Sequence, residues 1–175
     1  MYLLLYVDDL ILTGNRDYVL RSFISRLHSE FSFRDLGDLN YFLGLQVTRS
    51  DDELFLSQSK YAIEILKRVD LLDSKPVHTP LAANESFTSL GDPCQDITKY
   101  RSLVRELQYL TITHPDISYA VNQASQFLQA PTVHHMKLVK RILRYVKGTL
   151  AFGLTFSRPT HTSILGYLYA DWARC

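Results

Sequence analysis

The sequence predicts an α+β fold, strands first and helices after. Two observations carry that expectation. Between Tyr2 and Leu56, short apolar runs are separated by turn residues, which is the pattern of β-hairpins. Between Tyr100 and Val146, apolar residues recur at helical spacing in three successive stripes. Charge divides the chain at a similar place. Residues 1–97 hold 9 Lys/Arg and 15 Asp/Glu, a net of −6, whereas residues 98–175 hold 10 and 3, a net of +7. The basic half points to a polyanion partner, with solvated helix faces of unequal charge as the competing explanation.

The chain opens on two apolar runs, Met1 to Val7 and Leu10 to Leu12, flanking Asp8 and Asp9, with Gly14-Asn15 behind them. This reads as a hairpin with both carboxylates at its bend. Neighbouring strand residues face opposite ways, but a tight turn breaks that alternation and lets both acids converge. Paired carboxylates suit Mg²⁺, a hard cation that takes oxygen ligands. An Asp pair at a turn is also common for purely local reasons, since Asp bonds its own backbone there.

Behind the hairpin, Asn15 is the expected N-cap of a helix with Asp17 in its first turn. Its stripe of Leu20, Phe23, Ile24, Leu27 and Phe31 is expected to pack on the sheet as core. Tyr41 to Thr48 reads as a strand containing Phe42-Leu43-Gly44, and Ser50 to Glu53 as a hairpin loop. Leu54 to Leu56 is the return strand. Ser57 or Ser59 caps a helix carrying Ala62, Ile65, Leu66 and Val69. Residues 73–97 lack periodicity and hold Pro76, Pro80, Gly91 and Pro93, so they read as an extended connector.

The helical part begins with Tyr100, Leu103, Val104, Leu107 and Leu110. Pro115 then starts a helix carrying Ile117, Ala120, Val121, Ala124 and Leu128. The third helix is expected from Thr132 to Lys147, with Gly148 as its C′ residue. Val139, Ile142, Leu143 and Val146 form its buried face. Lys137, Lys140, Arg141, Arg144 and Lys147 lie on the other, in a stripe suited to a phosphate backbone or simply to water. His134 and His135 are adjacent, diverge around the helix and make a poor metal pair. Strands are expected again at Phe152–Phe156 and Ile164–Tyr169.

Cys94 and Cys175 form no disulfide framework or metal spacing, which fits a reducing compartment. The N-terminus lacks the basic region of a secretory signal, and its apolar run is too short for a membrane span.

The tetrad Tyr6-Val7-Asp8-Asp9 between apolar runs resembles the catalytic hairpin of reverse transcriptases. Further segments follow in order: FSFRDLGDLNYFLGLQV at 31–47, LFLSQSKYAIEIL at 54–66, KPVHTPL at 75–81 and YRSLV at 100–104. They continue with LQYLT at 107–111, HPDISYAV at 114–121 and KRILRYVKGT at 140–149. Together they resemble the copia-type retrotransposon polyprotein from Tyr2 to the end of the chain.

The resemblance implies a partial palm over 1–72, a connector over 73–97, a helical thumb and connection over 98–150, and the start of an RNase H-like domain over 151–175. It also implies RNA-directed DNA polymerisation, with Asp8 and Asp9 as ligands of paired Mg²⁺ ions. Phe42, Leu43 and Gly44 match the primer grip. Lys137, Lys140, Arg141, Arg144 and Lys147 belong to a segment near an RNA template, a DNA primer or their hybrid. At the RNase H start Tyr169 replaces the expected Asp, Arg174 replaces a glycine, and Asp171 remains. No RNase H activity is expected. Arg105 stands at a usual glycine, and His114 at the arginine of Arg-Pro-Asp-Ile.

The third metal-binding carboxylate and the fingers of the family precede this hairpin. The 175-residue chain is therefore expected to be inactive alone, needing the palm and fingers part of a polyprotein. The alternatives are a non-catalytic nucleic-acid-binding module using helix 132–147, and a retroelement relic with no function. The pattern resembles retroelement-derived open reading frames of plant genomes, mitochondrial ones included. The expected location is intracellular, in cytoplasm or nucleus, or in the mitochondrion for an organelle-encoded copy.

Overall fold

A computed structural model describes residues 1–82, 87–158, 163 and 166. Within them the fold mixes α and β. Two sheets lie in the first part of the chain, a run of helices follows, and one late strand returns to the second sheet.

The first sheet is a lone hairpin, β1 (Tyr2–Tyr6) against β2 (Asp9–Thr13), in antiparallel register from Tyr2↔Thr13 to Tyr6↔Asp9. Its apolar residues Leu3, Leu4, Leu5 and Leu10 remain exposed. Helix α1 (Asp17–Glu30) follows, and two expectations fail there. Its N-cap is Arg16 without a side-chain cap bond, in place of Asn15, and none of its residues is buried. A two-stranded sheet of five-residue strands offers too little apolar area to bury a helical stripe. Leu20, Phe23, Ile24 and Leu27 are therefore half covered, and Phe31 is exposed.

The second sheet is an antiparallel meander of β3 (Tyr41–Phe42), β4 (Leu45–Arg49), β5 (Glu53–Ser57) and β6 (Leu154–Ser157), in that order. The expected continuous strand through residues 41–48 is broken. Tyr41 pairs with Gln46 and Phe42 with Leu45, so Leu43-Gly44 is a two-residue turn. Both residues have positive φ, +49° and +81°, as the favoured hairpin turn for a right-twisted pair requires. Gly44 thus serves turn geometry and not a mid-strand approach or a bulge.

Helices α2 (Ser59–Arg68), α3 (Ile97–Leu110), α4 (Ser118–Ser125) and α5 (Val133–Gly148) share one core, with a 3₁₀ turn at Pro115–Ile117 leading into α4. Ala62, Ile65 and Leu66 of α2 lie in the same cluster as Tyr100, Leu107, Ile142 and Val146, so the core runs across residue 72. The three stripes read from the sequence are its lining, and Leu128 packs at its edge. Tyr100 donates its hydroxyl to the Ala124 carbonyl at 2.7 Å, and burial pushes that phenol up to about 12.

Caps differ from the sequence reading. Asp96 caps α3 by accepting from the Lys99 amide at 2.8 Å. Helix α2 is preceded by Gln58, so neither Ser57 nor Ser59 caps it. The Ser59 hydroxyl instead donates to the Leu150 carbonyl at 2.6 Å, which ties α2 to the end of α5. Thr132 and His135 form a reciprocal capping box at the start of α5, with His135 Nδ1 accepting from the Thr132 amide at 2.9 Å.

Gly148 is the last residue of α5 and not a left-handed C′ position. Its value is clearance, because a Cβ there would stand 3.2 Å from Cβ of Pro76. Arg105 points into solvent, so it is accommodated without repacking. His114 is fully buried, its Nδ1 3.2 Å from the Thr113 hydroxyl and its Nε2 3.2 Å from the Thr149 carbonyl oxygen.

Candidate metal-binding hairpin and nucleic-acid interface

Two residues, Val7 and Asp8, make the turn of the first hairpin, while Asp9 opens β2 opposite Tyr6. Val7 has φ +49°, a conformation that a β-branched residue adopts only under strain. Asp8 and Asp9 are both exposed. Their carboxylate oxygens are the donor type that Mg²⁺ takes. Among the described residues, no group of three or more His, Cys, Asp or Glu side chains gathers to hold a metal. The donor chemistry fits a hard divalent cation, but two ligands leave most of its coordination to water or to other segments.

The second tip, Leu43-Gly44, is held from a distance. The Tyr109 hydroxyl donates to the Leu43 carbonyl, and its ring would lie 3.4 Å from a Cβ on Gly44. Tyr61 meets that ring edge to face, with centroids 5.3 Å apart. Burial raises the Tyr109 phenol above its ordinary range, and the nearby phenols of Tyr41 and Tyr6 add to the rise. Lys60 sits over the Tyr41 ring, 5.8 Å from its centroid.

The cationic face of α5 divides into two sets. Lys137 and Lys140 are exposed. The other three reach the connector: Arg141 Nη2 donates to Thr79 Oγ1 at 2.9 Å, Arg144 Nε to the Lys75 carbonyl at 2.7 Å, and Lys147 Nζ to the Ser74 carbonyl. The Val77 amide returns a bond to the Arg144 carbonyl at 3.4 Å. The His134 and His135 rings, expected to diverge, lie 6.4 Å apart and share Phe87 as a neighbour, at 5.3 and 6.3 Å. The His135 ring stacks on Phe127 with centroids 3.8 Å apart, inside the capping box.

Sequence reasoning missed Tyr109 and the connector's place on α5. Tyr109 lies off the main stripe of its helix, and its place within LQYLT at 107–111 did not by itself single it out. The connector did hold a signal. Prolines at 76 and 80 favour an extended backbone without a regular hydrogen-bond ladder of its own, so most donors to its carbonyls come from elsewhere. Tyr169 and Asp171, and the strand expected at 164–169, lie outside the described residues.

The family described as Reverse transcriptase (RNA-dependent DNA polymerase) matches residues 1–83. An uncharacterized mitochondrial protein of Arabidopsis thaliana is 47% identical over 177 residues, covering 100% of this chain and 73% of its own length. The Retrovirus-related Pol polyprotein from transposon RE1 of the same plant is 42% identical over 99% of this chain. That from transposon TNT 1-94 of Nicotiana tabacum is 35% identical over 98%. The chain spans only 12% and 14% of those two polyproteins. No solved structure matches.

Proposed function

This chain belongs to the reverse transcriptases of copia-type retrotransposons, as a fragment of their Pol polyprotein, and from that premise we propose that its first hairpin is the metal-binding tip of an RNA-directed DNA polymerase palm. The observation that carries the proposal is the exposed Asp8-Asp9 pair on a strained Tyr6-Val7-Asp8-Asp9 turn. Asp8 and Asp9 are the Mg²⁺ ligands. Bound there, the ion would neutralise charge developing on the transferred phosphoryl group. The tip stands exposed, and Tyr109 holds Leu43-Gly44, the primer-grip-like turn after Phe42.

Residues 1–72 then correspond to part of the palm, 73–97 to a connector, 98–150 to thumb and connection, and 151–175 to the start of an RNase H-like domain. Nucleic acid, as template, primer or hybrid, is the partner that this arrangement serves. The described residues bring no third carboxylate to Asp8 and Asp9. The 175-residue chain alone is therefore expected to give no primer extension with Mg²⁺ or Mn²⁺. Supplying the upstream palm and fingers of an intact relative in cis should restore extension, and Asp8→Asn should abolish it again. Extension by the purified chain alone, lost in Asp8→Asn, overturns this reading of the site.

A second reading rests on α5. Its five cations have no carboxylate within 4.0 Å among the described residues, where Arg68–Glu106 at 2.7 Å is the ion pair formed. A helix face with uncompensated charge supports non-catalytic binding of phosphate backbones by Lys137, Lys140, Arg141, Arg144 and Lys147. Binding that survives Asp8→Asn but weakens steeply with salt separates this role from catalysis. Among the described residues no helix is long and apolar enough to cross a membrane.

A further inference from the structure

The segment Ser74–Leu81 lies along the cationic face of α5 as a strap. Four contacts fix it: Lys147 to the Ser74 carbonyl, Arg144 to the Lys75 carbonyl, Arg141 to Thr79 and the Leu81 carbonyl, and Pro76 against Gly148. All the oxygens that receive these cations are neutral, so the bonds hold the head-groups in place without cancelling their charge. Spare donors remain. A guanidinium has five N–H groups, and Arg144 commits its Nε to the strap while Arg141 commits its Nη2. The Nε of Arg141 is buried without a hydrogen-bond partner, an unusual state for a charged donor.

The strap also brings a cation of its own. Lys75 is exposed, and its backbone carbonyl is pinned to Arg144, so this residue sits beside the stripe although it is far from it in sequence. From Lys137 to Lys147 the stripe runs about 15 Å at the helical rise. That is too long for a single phosphate and matches about four successive phosphates of a stacked strand.

We propose that the strap and α5 form one seat for the phosphate backbone of single-stranded nucleic acid, in which Lys75 is a contact cation and Arg141 and Arg144 are donors preset by the strap. The proposal rests on the reading of α5 as a nucleic-acid surface and adds the strap to it. Presetting matters because long cationic side chains otherwise lose rotamer entropy on binding. With their heads already anchored, that cost falls on folding.

The test is the salt dependence of binding of a fluorescent oligothymidylate to the full chain. Lys75→Ala should lower the slope of log Kd against log salt by about 0.7, the value for one lost single-strand phosphate contact. Lys75→Arg should keep the slope, and Lys99→Ala, an exposed cation away from the strap, should leave it unchanged. Lys137→Ala with Lys140→Ala should lower it by about 1.4. If that double variant flattens the slope while Lys75→Ala keeps the parent value, the strap is excluded from the seat and the α5 reading stands. If none of the variants changes the slope, or if the chain does not bind, the α5 reading falls and this inference with it.

Discussion

Removing the Tyr109 hydroxyl while keeping its ring isolates one bond that holds the Leu43-Gly44 turn. Tyr109→Phe leaves the Leu43 carbonyl without its donor, so a stability loss of about 1 kcal/mol is expected in chemical denaturation. Tyr109→Ala, which also removes the ring from Gly44 and Tyr61, should cost about 3 kcal/mol. This part of the site was hidden in the sequence for a physical reason. Nothing local marks Leu43 for a left-handed conformation, and the group that holds it there arrives from 66 residues away. The exposure of Asp8 and Asp9, by contrast, was legible because a hairpin tip exposes its residues whatever the rest of the chain does. His135 supports a second residue-level expectation. Burial lowers its imidazole below the ordinary range, and the charge of His134 lowers it further, against an opposing hydrogen bond to the Thr88 backbone. The unfolded imidazole takes up its proton near the ordinary value of about 6.5. Stability should therefore be full above that pH and fall as pH drops towards the lower folded value. A lower Tm at pH 5 than at pH 8, with the difference reduced in His135→Gln, is the expected result.

Among the elements, legibility followed burial. The stripes of α3, α4 and α5 were read correctly because each faces a core able to receive it, and Leu107 and Ile142 are fully buried there. The stripe of α1 has the same periodicity but none of its residues is buried, so periodicity alone overstated its burial. Strand β6 offers a test at this scale. A Cβ on Gly153 would lie 2.3 Å from the Leu56 carbonyl oxygen and 2.7 Å from the Phe55 ring. Gly153→Ala must push β6 off β5 and should cost about 1–3 kcal/mol, as overpacking does. Loss of protection at the strand amides of 154–157, with α3 and α5 unchanged, is the measurement that checks it.

Across the molecule, protection should follow the single core. Amides of α3 and α5 should exchange only through global unfolding, while those of residues 2–13, in an exposed two-stranded sheet, should exchange by local opening at far lower free energy. Equal protection in the hairpin and α5 would contradict this. The pairing of β6 with β5 has a further consequence, in the order of events during folding. Leu154 meets Leu56 across about a hundred residues of chain, a long loop to close before any reward is collected. The helices between them need only local turns and short returns, so they assemble first and carry the two strand ends towards each other. The last strand of the sheet therefore closes on a finished helical core, and refolding should show β6 protection appearing in a phase after that of α3, α4 and α5.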